Sequence, residues 1–145
     1  MGVQDANSAG FVHGGMVMKT CDEAAAIAAI RHCGLRVVTA GMDRMTFTEP
    51  VHIGELLCCR ASVNAAWRTS MEIGVRVEAE DPRTGETRHT STAYVTMVGI
   101  DDEGRPTPIP PAIATSEGEQ RRQREAELRR ANRLAERDQI LGDRN

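Results

Sequence analysis

The sequence has a single lysine, Lys19, so nearly all of its 18 basic residues are arginines. Set against 21 acidic residues they leave a formal net charge of −3. No overall positive field is left to gather nucleic acid or anionic lipid. No run of about 18 apolar residues occurs, which excludes an ordinary membrane-spanning helix. The opening stretch, Met1 to Asn7, is small and polar, unlike the apolar centre of a secretory signal. Cys21, Cys33, Cys58 and Cys59 show no Cys-x-x-Cys spacing. Cys58 and Cys59 would face opposite ways on a strand. The thiols read as reduced and buried in a cytoplasmic protein, not as a disulfide framework.

What is present suits one folded domain. The 145 residues are 40% hydrophobic and 27% charged, an ordinary balance with enough chain for a real core. From Gly15 to about Cys33 there is no proline, and Ala24, Ala25, Ala26, Ala28 and Ala29 crowd together. Alanine is the best helix former, so this stretch predicts a helix. Met16, Val17, Met18, Ile27 and Ile30 make it apolar nearly all round, as expected of an enclosed helix. Gly34 ends it, and Arg31 and His32 lie in the last turn, where cations suit the dipole.

Beyond Gly34 the period shortens. Leu35 to Phe47 predicts a strand closed by the Glu49-Pro50 turn, and Glu55 to Trp67 a second. Ser70 to Glu80 alternates, with Met71, Ile73, Val75, Val77 and Ala79 on one face and Glu72, Arg76 and Glu78 on the other. That is the pattern of a half-buried antiparallel strand. Asp81 to Gly85 is a turn by its chemistry, and Thr87 to Ile100 is a fourth strand closed by Asp102-Glu103-Gly104. One helix and four strands on short connections imply an α+β fold, an antiparallel sheet wrapped around the helix.

Pro106, Pro108, Pro110 and Pro111 predict an extended connector leaving the sheet. The boundary falls there: 1–111 form the domain, and 112–145 a charged helical tail from Glu117 to about Leu141. Its arginines and carboxylates nearly cancel and no aromatics interleave them, which argues against nucleic acid. A solvated helix laced with i,i+4 pairs is expected, with docking on a neighbouring subunit as the alternative.

Three features carry possible chemistry. Asp22 lies within an apolar helix, where a carboxylate is costly unless used or paired, and Lys19 on the same face offers an ion pair. Gly14 and Gly15 open the helix, where free N–H groups and the positive dipole end can polarise a carbonyl; alternatively they only relieve crowding against the sheet. Asn7 could hold a water or a carbonyl oxygen, or simply form a turn. His13 is placed like a base but equally like a residue that bonds backbone. His52 and His89 lack ligand spacing, and no metal is assigned.

Together these residues change the reading. Asp5-Ala6-Asn7-Ser8-Ala9-Gly10-Phe11-Val12-His13-Gly14-Gly15, then Lys19 and Asp22-Glu23-Ala24, closely resembles the signature of hotdog-fold acyl-CoA hydrolases of the cytosolic, brain-type family. The likeness continues through Ala29 to His32, Val38-Thr39, Phe47 to Pro50, Gly54 and Thr69 to Glu72, and covers roughly Asp5 to Pro111. It implies a thioesterase that cleaves acyl-CoA to free acid and CoA, with coenzyme A as part of the substrate and no separate cofactor. It implies hotdog units paired as a homodimer, often three dimers to a hexamer; the charge balance and the lack of a long apolar run, not the resemblance, are what argue for no nucleic-acid or membrane partner. It places the catalytic pair on Asn7 and Asp22, with oxyanion contacts at Gly14 and Gly15. Coenzyme A phosphates would want cations and hydroxyls at the sheet edge, for which Arg68, Thr69 and Ser70 are candidates.

Geometry supports a shared site. Asp22 stands seven residues past Gly15, about 10 Å along a helix, so it does not easily serve a substrate at its own helix start. A two-fold partner could bring Asn7 and Gly15 of one chain to Asp22 of the other. Asp22 would act as general base on water or attack directly. The sequence departs from the pattern twice: only Met1 to Gln4 stand where the family has a first strand, and Trp67 replaces a small residue. A non-catalytic acyl-CoA sensor and a hotdog hydratase remain the competing readings.

Overall fold

A computed structural model describes residues 1–144. A short 3-10 turn, Val3–Asp5, precedes α1 (Gly14–Cys33), β1 (Arg36–Met42), β2 (Thr46–Phe47), β3 (Leu56–Ala66), β4 (Ser70–Glu80), β5 (Thr87–Ile100) and α2 (Glu117–Asp143). The strands form one antiparallel sheet in the order β1-β5-β4-β3, with β2 also paired to β5. No helix among the described residues is long and apolar enough to cross a membrane. The expected α+β hotdog arrangement is present, with the charged tail helical.

Helix α1 starts where His13, its N-cap, accepts the Gly15 N–H on Nδ1 at 3.1 Å. It stops at Gly34, whose φ of 69° is the left-handed conformation glycine adopts freely. Val17, Cys21, Ala25 and Ala29 recur every fourth position and form its buried stripe. Small side chains there bring the helix close to Met71, Ile73, Val75 and Val77 of β4 and to Ala93, Val95 and Met97 of β5, all buried. Fully burying each of the larger residues contributes about 1.5–3 kcal/mol.

The expectation that α1 is enclosed fails for a single chain. Met18, Ile27 and Ile30 are 41%, 53% and 46% exposed. One sheet covers one side of a helix, and the rest of this apolar circumference has no second layer within the protomer.

The strand expected over Leu35–Phe47 is interrupted at Asp43–Met45. A register shift between Thr39 and Gly41 bends β1, and just past its end the Asp43 N–H still donates to Tyr94 O at 2.9 Å while its side chain pairs with Arg133 of α2 at 2.7 Å. β4 has the expected bounds, but Glu72, assigned to the solvent side, is fully buried. The connector does not leave the sheet either. Thr107 donates to Gly99 O at 2.9 Å and Ile109 to Arg68 O at 3.0 Å, with the Ile109 side chain seated over Gly99.

These departures share one cause. α2 is not solvated but lies across the outer face of its own sheet. Arg129 grips Glu72 with two hydrogen bonds of 2.9 and 2.8 Å and stacks over Tyr94, 3.6 Å from the ring centroid. Trp67, the departure noted near a turn, donates its indole N–H to Glu127 at 3.0 Å and lies beneath Arg130. Only one i,i+4 ion pair forms among the described residues, Arg121–Glu125 at 3.9 Å. Ser116 and Glu119 close a capping box at the start of the helix. Glu72 has no other cation, only the Asn64 amide at 3.0 Å. Arg129→Ala is therefore expected to cost about 3 kcal/mol, because it strands a buried carboxylate; chemical denaturation measures it, and an unchanged midpoint would contradict this role.

Candidate active site

The loop before α1 closes around Asn7. Its N–H donates to Phe11 O at 2.7 Å, and its Oδ1 accepts from the N–H groups of Ala9 at 2.9 Å and Phe11 at 3.2 Å. Gly10, at φ 85°, makes this tight reversal possible. His13 N–H then donates to Asp5 O at 2.6 Å and ties the loop to the helix start. With both bonds falling on Oδ1, what Asn7 has left to offer is its NH₂ group, two donors facing solvent. The turn-forming and ligand-holding readings of Asn7 are thus compatible.

Asn7 borders a cleft of about 350 Å³ whose walls include Phe11, Val12, Gly14, Val17, Phe47 and Val51. The walls are mainly apolar. The two glycines differ in what they can offer. Gly15 N–H is engaged by His13 Nδ1, whereas Gly14 N–H has no acceptor among the described residues. His13 acts as a cap, the plainer of its two sequence readings. The open donors beside the cleft are therefore Asn7 Nδ2 and Gly14 N.

Asp22 does not line this cleft. The ion pair with Lys19 does not form; the carboxylate Oδ1 accepts the Thr39 hydroxyl at 2.5 Å. Thr39 stands on β1 at the register shift, which turns its side chain toward α1. Oδ2 has no partner among the described residues, and Asp22 is half-buried. A carboxylate fixed by one hydroxyl and open on its other oxygen is arranged to accept a proton. Thr39 lies in the Val38-Thr39 stretch of the resemblance but is given no role there, because nothing in a strand marks one threonine and only the fold discloses its partner.

Cys21, immediately before Asp22, is fully buried, and all four thiols are free. A hydrogen bond with Cys59, reinforced by burial, pushes its thiol up, away from the nucleophilic thiolate.

Arg68, Thr69 and Ser70 form the tip between β3 and β4. Their backbone oxygens are taken, by Ile109, Gly99 and Trp67 respectively, while the Arg68 side chain is exposed and makes no hydrogen bond among the described residues. They share the sheet end with the first half of β1, since Ser70 pairs with Val98 and Val98 with Val38. One protomer therefore holds Asn7 with Gly14 at one place, and Asp22 with Thr39 at another.

Residues 9–86 match the model of the Thioesterase superfamily. Among proteins, the chain is 38% identical over 117 residues to VdlD of Helicobacter pylori, covering 81% of this chain and 67% of that one. It is 35% identical over 125 residues to the cytosolic acyl coenzyme A thioester hydrolase of Rattus norvegicus, covering 84% of this chain but 32% of the rat protein. Among solved structures, an apo-hexameric acyl-CoA thioesterase superposes with a TM-score of 0.89 at 35% identity, covering 94% of this chain and 87% of that one. The acyl-CoA hydrolase of Staphylococcus aureus, solved with butyryl coenzyme A and coenzyme A, gives 0.85 at 31% identity, covering 100% and 91%. Solved variants of that hydrolase carry alanine in place of an asparagine, an aspartate fifteen positions later, and a threonine seventeen positions after that.

Proposed function

The chain belongs to the thioesterase superfamily, and from that premise we propose that it hydrolyses acyl-CoA thioesters at sites completed between two subunits. The observation that carries this reading is the Asp22 carboxylate, held by Thr39 inside an apolar helix and left without a cation. Asn7, Asp22 and Thr39 stand fifteen and seventeen positions apart, the intervals of the three residues varied in the Staphylococcus aureus hydrolase. A structural ion pair would need Lys19, and even a half-buried carboxylate on an otherwise apolar helix is costly without a use.

The thioester carbonyl oxygen lies at the open donors, Asn7 Nδ2 and Gly14 N, and Asp22 Oδ2 of the other subunit receives a proton from water. The water oxygen adds to the carbonyl carbon, charge collects on the oxyanion, and the C–S bond breaks to release coenzyme A thiolate, which is protonated. Thr39 positions Asp22. Arg68, Thr69 and Ser70 hold coenzyme A phosphates at the sheet edge.

The exposed apolar side of α1, with Met18, Ile27 and Ile30, supplies the surface for a second copy. Three such dimers make a hexamer, as the hexameric structural relative suggests. The reaction belongs to the cytosol, in keeping with the name of the rat relative.

The test is release of coenzyme A thiol from a series of acyl-CoA chain lengths, followed with a chromogenic disulfide. Catalytic turnover is expected; saturable binding without thiol release would identify a sensor instead. Thr39→Val should lower kcat by about tenfold, the worth of one orienting hydrogen bond to a charged group, with KM little changed. Unaltered kcat would remove Thr39 from the mechanism.

A further inference from the structure

We propose, resting on the thioesterase reading above, that Arg88 of β5 is a positioning residue: it fixes the outer wall of the Asn7 cleft and so sets how well longer acyl chains are held.

The wall is the irregular segment between β2 and β3. Phe47 to Val51 form one side of the cleft, and the start of α1 with the loop before it forms the other. Asn7 Nδ2 and Gly14 N border this cleft and take the thioester oxygen, so the group beside that carbonyl enters it. Mainly apolar walls suit the acyl hydrocarbon. The pantetheine arm carries two amides, which would go largely unpaired there.

Little else holds the wall. Thr48 ties its near end, donating from both N–H and hydroxyl to Thr90 O at 2.9 Å. The Val12 N–H ties its far end, donating to Val51 O at 2.9 Å. Between these points, Glu49 and Pro50 have no hydrogen bond among the described residues except from Arg88. One guanidinium supplies them all. Its Nε donates to Glu49 at 3.1 Å and its Nη2 to Pro50 O at 2.9 Å. Glu55, only 8% exposed, accepts from Nη1 at 2.6 Å and from Nη2 at 3.1 Å. Glu55 also accepts the His52 N–H at 2.8 Å, so the grip spans both limbs of the loop. The bonds from Arg88 hold the Glu55 carboxyl below its ordinary range, which keeps the pair charged.

Only a planar fork with several donors meets three acceptors at fixed angles. A lysine would pair with Glu55 and release Glu49 and Pro50. That difference separates a positioning role from a simple counter-charge. A wall that yields buries less of any chain long enough to reach it, and matters least to the shortest.

Arg88→Lys is the first variant, because it keeps a cation for Glu55 and with it the fold, which a thermal melt verifies. Arg88→Met combined with Glu55→Gln is the second, since it leaves no carboxylate unpaired. Thiol release from acetyl-, butyryl- and octanoyl-CoA is followed for both. The ratio of kcat/KM for octanoyl-CoA to that for acetyl-CoA should fall by about tenfold, the worth of burying about two methylenes. KM should carry the change while kcat alters little, and amide exchange of residues 49–53 should quicken while that of α1 holds. A wild-type ratio in folded Arg88→Lys protein would show that charge alone suffices and overturn the proposal. An equal loss at all three lengths, or a loss confined to kcat, would overturn it too. Should the wild type release no thiol, the same ratio is read from calorimetric affinities, so failure of the thioesterase reading is told apart from failure of this one.

Discussion

Asp22→Ala should lower kcat for acyl-CoA hydrolysis by roughly 10²–10⁴-fold, the range for losing a positioned general base, without unfolding the protein. The side chain is half-buried, and its one hydrogen bond is to the Thr39 hydroxyl, which stands on an exposed position and can turn to water. Alanine also suits the middle of a helix better than aspartate does. Stability should hold or improve while turnover collapses, and that opposition separates a functional carboxylate from a structural one. Asp22→Asn sharpens the test. It keeps the Thr39 contact and the volume but cannot take a proton, so it should be nearly as inactive as alanine. Near-wild-type turnover in either folded variant would remove Asp22 from the chemistry, as thiol release against enzyme concentration would show.

What the sequence discloses and what it withholds follow one physical line. Local patterns are legible. Alternation from Ser70 to Glu80 locates β4 to the residue, the alanine run locates α1, and the glycine at position 34 closes it. Alternation says that Glu72 faces away from Met71; it does not say that the other face is open. Arg129, 57 residues further on, covers it, and nothing local distinguishes that arginine from its neighbours in α2. Trp67 is the same case, since its partner Glu127 lies 60 residues away. The expected free tail becomes a docked one because three sparse long-range pairs, of Arg129 with Glu72, Glu127 with Trp67 and Arg133 with Asp43, and one buried alanine, Ala126, outweigh a composition that reads as solvated.

The site divides along the same line. The order of Asn7, Gly14 and Asp22 is visible as a motif, because loop, helix start and helix lie consecutively. The role of Thr39 is not, since only folding β1 beside α1 places its hydroxyl against the carboxylate. Nor does sequence show that Gly15 loses its N–H to His13, which leaves Gly14 as the open donor. Neither pattern nor single-chain geometry brings Asn7 to Asp22, and the partner subunit is what the proposal requires.

That requirement yields the sharpest expectation, recovery of activity from two dead proteins. Asn7→Ala removes the open amide donor, worth about 10²–10³-fold in an oxyanion site, and Asp22→Ala removes the base. Neither homodimer has an intact site. Mixed under conditions that permit subunit exchange, each heterodimer has one site carrying both lesions and one site built from the intact Asn7 and the intact Asp22. Each heterodimer should therefore work at about half the wild-type dimer rate, and random exchange puts about half of all dimers in that state, by the two-fold logic of an isologous interface. Differently tagged chains recovered together establish that exchange took place. Should exchanged material stay inactive, Asn7 and Asp22 of a single chain must serve the same site. The loop carrying Asn7 would then have to move toward its own helix's third turn, against the Asn7–Phe11 and His13–Asp5 bonds that now hold it at the helix start.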